Sequence, residues 1–185
     1  LVVLQNEGSA SASEVLTAAI QSWGAGTIVG TTSFGKGTVQ ETWDLTNGGS
    51  VKLSTNKWLT PKETWIHERG VQPDVEADQH PLYTIEFVPI RGSFEAGDFS
   101  EEIAYAQKVL HGFGFPIVRQ DGYFDETTKK AVIAFREKYD IHEGEVLDEL
   151  FFEKMQEQVV LYKDKEENDL QLQMGVSYIM HKLGH

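Results

Sequence analysis

The first part of the chain alternates short apolar runs with one amphipathic segment. Residues 1–4 and 27–29 are short runs typical of strands buried inside a parallel sheet. Between them, apolar side chains recur at helical spacing and predict a helix over residues 13–23, which Gly24 and Gly26 end. A strand, a helix and a strand in this order predict a parallel pair with a crossover helix, and therefore an α/β fold.

A different pattern follows the second strand. Residues 39–45 and 50–55 alternate between apolar and polar positions on either side of Asn47, Gly48 and Gly49. Alternation on both sides of a glycine-containing turn predicts a β-hairpin. We therefore expect the first part of the chain to be a partial β-α-β core with an additional hairpin.

The second part has longer helical patterns and more charged residues. Apolar spacing and capping residues predict helices over about residues 100–111, 125–139 and 147–158, which form a small all-α module. The tail is also amphipathic and predicts a terminal helix. The expected domains are a core at 1–80, a connection with one short strand (83–88) at 81–97, a helical module at 98–158 and the terminal helix at 159–185.

Composition removes several classes of function. The 185-residue chain has a formal net charge of −13 and no cysteine. This acidity argues against a nucleic-acid partner, since phosphate recognition needs a positive surface. A disulfide scaffold and a thiolate metal site are excluded, and the sequence indicates no metal or other cofactor. Because the first strand needs neighbours on both sides, we expect the chain to begin in the middle of a domain.

Ser11 lies between the first strand and the first helix. Unpaired N–H groups at a helix start can stabilise a developing oxyanion, so a nucleophile there has donors ready. Ser11 and Glu14 also fit a capping box, which would give both residues a purely structural role.

Lys36 follows the second strand, between Gly35 and Gly37. It could be a solvated loop residue, and the segment matches a phosphate loop poorly because no helix follows. However, parallel strands bring their carboxyl ends together, so Lys36 and Ser11 can meet. Burial disfavours a charged amine, and a neutral lysine can remove the proton of a serine hydroxyl.

The two motifs together resemble the C-terminal processing, or tail-specific, serine peptidases. They are Gly8-Ser9-Ala10-Ser11-Ala12-Ser13-Glu14 and Phe34-Gly35-Lys36-Gly37-Thr38-Val39-Gln40, supported by Thr60-Pro61 and by Gly70-Val71-Gln72-Pro73-Asp74-Val75. The resemblance implies that Ser11 is the nucleophile and Lys36 the general base. It also implies that Gln40 orients the amine and that the backbone N–H of Ala12 is one oxyanion donor. Contact between Lys36 and Gln40 requires a bent backbone, since residues four apart in a straight strand are separated by roughly 13 Å.

The same resemblance implies a wider context. We expect an endopeptidase acting on protein or peptide substrates outside the cytoplasm of a bacterium, in the cell envelope or secreted, and attached to the membrane through an upstream segment. The family's PDZ domain and the first half of its core are missing here, so this chain alone should be an incomplete enzyme. A non-catalytic cell-wall-binding or scaffold protein that retains the peptidase frame is the alternative.

Residues 98–155 resemble a small peptidoglycan-binding module. The matching positions are Ile103, Ala106, Gln107, Leu110, Gly114, Asp121-Gly122-Tyr123-Phe124, Thr128, Ala131, Val132 and Phe135. Asp125 and Arg136 stand where members of that family usually have Gly and Gln, which leaves glycan binding open. The terminal helix could pack on a second copy, as in family members that form homodimers through terminal segments, or on its own module.

Overall fold

A computed structural model describes residues 1–184, and His185, the last residue of the predicted terminal segment, lies outside the described part. The chain forms two compact units. The first unit comprises Leu1–Asp78 together with the residues from Leu170 onward, and the second unit is Gln79–Asp169. The first unit is therefore assembled from two separate stretches of sequence.

The first unit contains a three-stranded parallel sheet. Strands β1 (Val2–Gln5), β2 (Thr27–Gly30) and β5 (Val75–Glu76) lie in the order β1-β2-β5. Helix α1 (Ala12–Ser22) connects the first two strands, which confirms the predicted β-α-β arrangement. The strand β2 is central, and its Ile28 and Val29 are completely buried, as expected for a parallel strand with neighbours on both sides.

The predicted hairpin is formed by β3 (Thr38–Asp44) and β4 (Ser50–Lys57). Its register shifts between Val39 and Gln40, so the ladder is bent near its base. Residues directly opposite one another share a face of the sheet. One face of the hairpin therefore carries Trp43 and Val51, and the other is polar.

The terminal helix, α6 (Leu170–Leu183), packs on β1 and β2 of the first unit. Gly175 permits this close approach, since a Cβ atom there would lie 2.9 Å from Cδ2 of Leu4. Thr27 also donates a hydrogen bond to the hydroxyl of Tyr178 at 3.3 Å. The helix thus packs on the sheet of the first unit, which was not the own-module packing that the sequence suggested. Much of its other face is exposed, and packing of that face on a second copy stays a prediction.

The second unit is helical. It contains α2 (Pro81–Thr84), α3 (Glu101–Gly112), α4 (Glu126–Lys138), α5 (Glu149–Lys163) and a 3₁₀ helix (Glu166–Asn168). Ser100, Asp125 and Asp148 cap the three long helices with their side chains. The core between these helices includes Ile103, Ala106, Leu110, Phe124, Ala131, Val132, Phe135, Leu147, Phe151, Phe152 and Met155.

The short strand predicted at 83–88 is not present. Instead, α2 begins at Pro81, and the side chain of His80 accepts a hydrogen bond from the backbone N–H of Leu82. Proline is favoured in the first turn of a helix because it has no N–H to satisfy there. Within residues 1–184, no helix is long and apolar enough to span a membrane, and no group of His, Asp and Glu residues could hold a metal ion.

Candidate active site

Ser11 occupies a strained backbone position at the start of α1. It is the N-cap residue, with φ 58° and ψ −114°. A non-glycine residue with positive φ is uncommon and persists only where its surroundings hold it in place. The residues around Ser11 therefore hold it in an unfavourable backbone conformation.

The carboxylate of Glu14 is the main group holding this region. Glu14 lies one turn into α1 and is completely buried. Its Oε2 accepts from the backbone N–H of Ser11 at 2.8 Å and from that of Lys36 at 2.8 Å. Its Oε1 accepts from the hydroxyl of Ser33 and the N–H of Gly35, both at 2.6 Å. One side chain thus connects the start of α1 to the loop that follows β2.

These bonds bring the backbones of Ser11 and Lys36 together. Both N–H groups bind the same oxygen of Glu14, so the two nitrogen atoms cannot be farther apart than twice 2.8 Å. Additional support comes from the N–H of Phe34, which donates to the carbonyl of Ser9 at 2.9 Å. The two segments carrying the candidate nucleophile and base are therefore neighbours, as expected at the carboxyl ends of adjacent parallel strands.

The environment of Glu14 favours its ionised form. Burial is the largest single influence on its pKa and would raise it. The hydrogen bonds from Ser33, Gly35, Ser11 and Lys36 act in the opposite direction and together prevail, so the pKa of Glu14 lies below its ordinary value. A negative charge with four donors can therefore remain buried here without a positive partner.

A second segment supports the Lys36 loop from the other side. The N–H of Glu68 donates to the carbonyl of Gly35 at 2.9 Å, and Nε1 of Trp65 donates to that of Gly37 at 2.8 Å. A Cβ atom at Gly37 would lie only 2.4 Å from the backbone nitrogen of His67. The glycines beside Lys36 thus allow two backbones to approach closely.

Gln5, the last residue of β1, connects the loop that follows β2 to the segment around Val71. Its buried Nε2 donates to the carbonyl oxygens of Thr31 at 2.9 Å and Val71 at 2.7 Å. The N–H of Val71 in turn donates to the hydroxyl of Ser33 at 2.7 Å. Sequence reasoning missed Gln5; a polar residue ending an otherwise apolar strand run was the available signal.

The remaining predicted site residues are more exposed. Ala12 is the first residue of α1, so its N–H has no acceptor within the helix and faces outward from the helix start. Gln40 lies on β3 opposite Ser54, immediately after the bend in the ladder, and is exposed. Within residues 1–184, no hydrogen bond joins Gln40 to Lys36.

In the second unit, polar residues singled out from the sequence hold turns and loops. Gln107 is completely buried: its Nε2 donates to the carbonyl of Tyr123 and to the hydroxyl of Thr128, and its Oε1 accepts from the N–H of Gly122. Arg136 donates from Nη1 to the carbonyl of His142 and from Nη2 to that of Val146, and Nη2 also pairs with Asp148 at 2.7 Å. Both side chains therefore have structural partners.

Comparison with known protein families divides the chain into two segments, much as the structure divides it into two units. Residues 1–77 match the sequence profile of "Peptidase family S41". Residues 99–155 match that of "Putative peptidoglycan binding domain". The two matches coincide with the sheet-containing segment of the first unit and with most of the second unit.

Individual proteins show the same similarity along nearly the whole chain. The chain is 38% identical over 174 residues to carboxy-terminal processing protease CtpB of Bacillus subtilis (strain 168), and 30% identical over 182 residues to CtpA of the same organism. These alignments cover 94% and 98% of this chain but 36% and 38% of the relatives, so the chain spans little more than a third of their length. The solved photosystem II D1 C-terminal processing protease shares 44% identity over 42% of this chain and 20% of its own, with a TM-score of 0.41.

Proposed function

Since this chain belongs to the C-terminal processing peptidases of family S41 and carries a peptidoglycan-binding-type module after the peptidase segment, we propose that it supplies the nucleophile and base of a serine endopeptidase. Ser11 is the nucleophile, Lys36 the general base, Gln40 the residue that orients the amine, and Ala12 one oxyanion donor. The observation that carries the proposal is the shared contact with Glu14, which keeps the backbones of Ser11 and Lys36 adjacent.

The proposed reaction follows acyl transfer in two steps. Oγ of Ser11 attacks the carbonyl carbon of the scissile peptide bond while its proton passes to Nζ of Lys36. The oxyanion accepts a hydrogen bond from the N–H of Ala12. Lys36 then gives the proton to the leaving amine, and an acyl-enzyme remains. Water, deprotonated by Lys36, attacks the ester, and Ser11 recovers its proton as the new carboxyl end departs.

The proposed enzyme is longer than this chain. A second oxyanion donor, the rest of the core and a PDZ domain come from upstream sequence in our proposal, which agrees with the short span of the relatives that the chain covers. Substrates are proteins or peptides cut near their carboxyl ends. We place the activity outside the cytoplasm of a bacterium, in the envelope or secreted, with membrane attachment through the upstream part.

A homodimer forms part of the proposal. Several apolar side chains of α6 are exposed, namely Leu170, Met174, Val176, Ile179, Met180 and Leu183. A helix that packs on its own unit with one face and exposes apolar side chains on another face is typical of a helix that also packs on a partner. Sedimentation equilibrium of the protein and of an Ile179→Asp variant tests this: a dimer that becomes a monomer supports the interface, and an unchanged mass excludes it.

A second function, binding to the cell wall, is favoured by the match of residues 99–155 to a peptidoglycan-binding family. As a sole function it would make the chain a non-catalytic scaffold. Co-sedimentation with purified peptidoglycan measures it directly, with and without hydrolysis of the glycan strands. Binding together with Ser11-dependent proteolysis would make the module an accessory of the enzyme.

The decisive experiment measures cleavage of casein and of model peptides by the full-length polypeptide. We expect Ser11→Ala and Lys36→Ala to abolish cleavage, whereas Ser13→Ala, an exposed serine two residues away, should retain it. Melting temperatures of all variants establish that they remain folded. Equal cleavage by the wild type and both site variants would eliminate the assignment.

A further inference from the structure

Gln171 is a buried polar residue in the first turn of the terminal helix α6. It is 6% exposed, and its Nε2 donates to the carbonyl oxygen of Ala77 at 2.9 Å across 94 positions of sequence. A buried amide costs free energy unless it is hydrogen bonded. This bond therefore fixes where the start of α6 meets the segment that follows β5.

The contact lies at the carboxyl end of the central strand. The N–H of Ala77 donates to the carbonyl of Gly30, the last residue of β2, at 2.9 Å. Gly30 has φ 136°, and a Cβ atom there would lie 1.9 Å from the carbonyl oxygen of Gln5 and 3.3 Å from Nε2 of Gln171. Two strand ends and the terminal helix thus converge on one glycine.

The loop carrying Lys36 begins at this glycine. The N–H of Thr31 donates to the carbonyl of Gln5 at 3.2 Å, and Nε2 of Gln5 returns a bond to the carbonyl of Thr31. Gln5 also binds Val71, whose N–H donates to Ser33, and Ser33 donates to Glu14. Hydrogen bonds, together with the peptide bond between Gly30 and Thr31, therefore connect α6 to the carboxylate that holds Ser11 and Lys36.

We infer that Gln171 is a positioning residue for the proposed Ser11–Lys36 pair. It acts through Ala77 and Gly30, whose location sets the start of the Lys36 loop. The inference rests on the proposed function and adds a role for the terminal helix inside its own protomer. Catalysis is sensitive to small displacements, since a shift of about 1 Å between reacting groups can lower a rate on the order of 100-fold.

The test compares two hydrogen bonds made by the same helix to opposite ends of β2. Gln171→Met keeps the side-chain length but removes the donor to Ala77. Tyr178→Phe is the matched control, because it removes the bond with Thr27 at the first residue of β2. In the full-length polypeptide, we expect Gln171→Met to lower kcat by about 10-fold with KM changed less than about twofold, and Tyr178→Phe to leave kcat within about twofold.

Further measurements separate positioning from loss of stability. Melting temperatures and the rate at which a fluorophosphonate labels Ser11 are recorded as functions of pH for each variant. A positioning role changes the pH profile of labelling in Gln171→Met alone, whereas a structural role lowers both melting temperatures and leaves the folded enzymes equally reactive. If Gln171→Met fails to fold, Gln171→Asn, which keeps an amide on a shorter stem, decides between the same two results.

The result also separates this inference from the proposed function. Wild-type cleavage that survives Ser11→Ala would remove the proposed function and, with it, this inference. Ser11-dependent cleavage with unchanged kcat and labelling in a folded Gln171 variant would overturn the inference alone.

Discussion

The hydroxyl of Ser33 donates a hydrogen bond to Oε1 of Glu14 at 2.6 Å, and both residues are buried. Ser33 simultaneously accepts from the N–H of Val71, so its hydroxyl has a fixed direction. The carboxylate of Glu14 is consequently held by a group that is itself held by a third segment.

Replacing Glu14 by Gln should destabilise the protein. The amide offers one acceptor oxygen and a donor group, so part of the set formed by Ser11, Ser33, Gly35 and Lys36 loses its acceptor. Hydrogen bonds to charged groups contribute about 1.5–3 kcal/mol, so we expect the free energy of unfolding to fall by about 2–4 kcal/mol. Urea unfolding measures this loss.

The matched control for this prediction is Glu41→Gln. Glu41 is exposed on β3, and a surface substitution of this kind changes stability by less than about 0.5 kcal/mol. Equal midpoints and slopes for the two variants would show that the buried carboxylate adds nothing to stability.

The stability contributed by Glu14 should depend on pH. Its pKa in the folded protein lies below the ordinary value of 4.5, so below that value the unfolded chain binds the proton more readily than the folded one. The contribution is therefore complete above about pH 4.5 and is lost as the pH falls through the folded pKa. As the pH is lowered from about 6 to about 3, the free energy of unfolding should fall less steeply for Glu14→Gln than for the wild type. Parallel curves for the two proteins would contradict a lowered pKa for Glu14.

Gly37→Ala should disturb the Lys36 loop without touching any candidate catalytic side chain. The new Cβ atom would lie 2.4 Å from the nitrogen of His67, so one of the two backbones must move. We expect a loss of about 1–3 kcal/mol in stability, as for other overpacked sites, together with reduced proteolysis.

Gly49→Ala is the control for that substitution. A Cβ atom at Gly49 would meet only the side-chain oxygen of Asn47, at 3.3 Å, and this side chain can rotate away. If thermal unfolding places both alanine variants at the same midpoint, close approach at Gly37 is not a constraint.

Arg136→Met should destabilise the second unit. It leaves the carbonyls of His142 and Val146 without their donor and removes the partner of Asp148. Arg136 is buried but the side chain of Asp148 is 37% exposed, so the loss should be that of hydrogen bonds to a charged group, about 1.5–3 kcal/mol. Thermal unfolding followed by circular dichroism tests the loss, with exposed Lys130→Met on the same helix as the control; a midpoint like that of the control would refute it.

The sequence predicted features that depend on local patterns. The β-α-β order and the hairpin around Gly48 follow from apolar spacing and turn residues. The prediction of a strand at 83–88 was wrong, because Pro81 and the cap from His80 favour a helical turn there.

Contacts between distant segments were not readable from the sequence. A capping role for Glu14 is visible locally, but its bonds to residues 19–22 positions away appear only when the sheet forms. The location of α6 depends on contacts between residues far apart in sequence, such as the close approach of Gly175 to Leu4 and the bond from Gln171 to Ala77. The roles of Ser11, Lys36, Gln40 and Ala12 came from family resemblance and await the cleavage experiment.

The division of the first unit between two stretches of sequence has a consequence for biosynthesis. The ribosome completes β1, β2 and β5 before it reaches Gln79, yet the helix that covers β1 and β2 follows only after the 91 residues of Gln79–Asp169 have been made. During that interval Val2 and Leu4 lack their contacts with α6, and apolar side chains exposed during folding favour aggregation. Chaperone demand should therefore be greatest while the inserted helices are being translated.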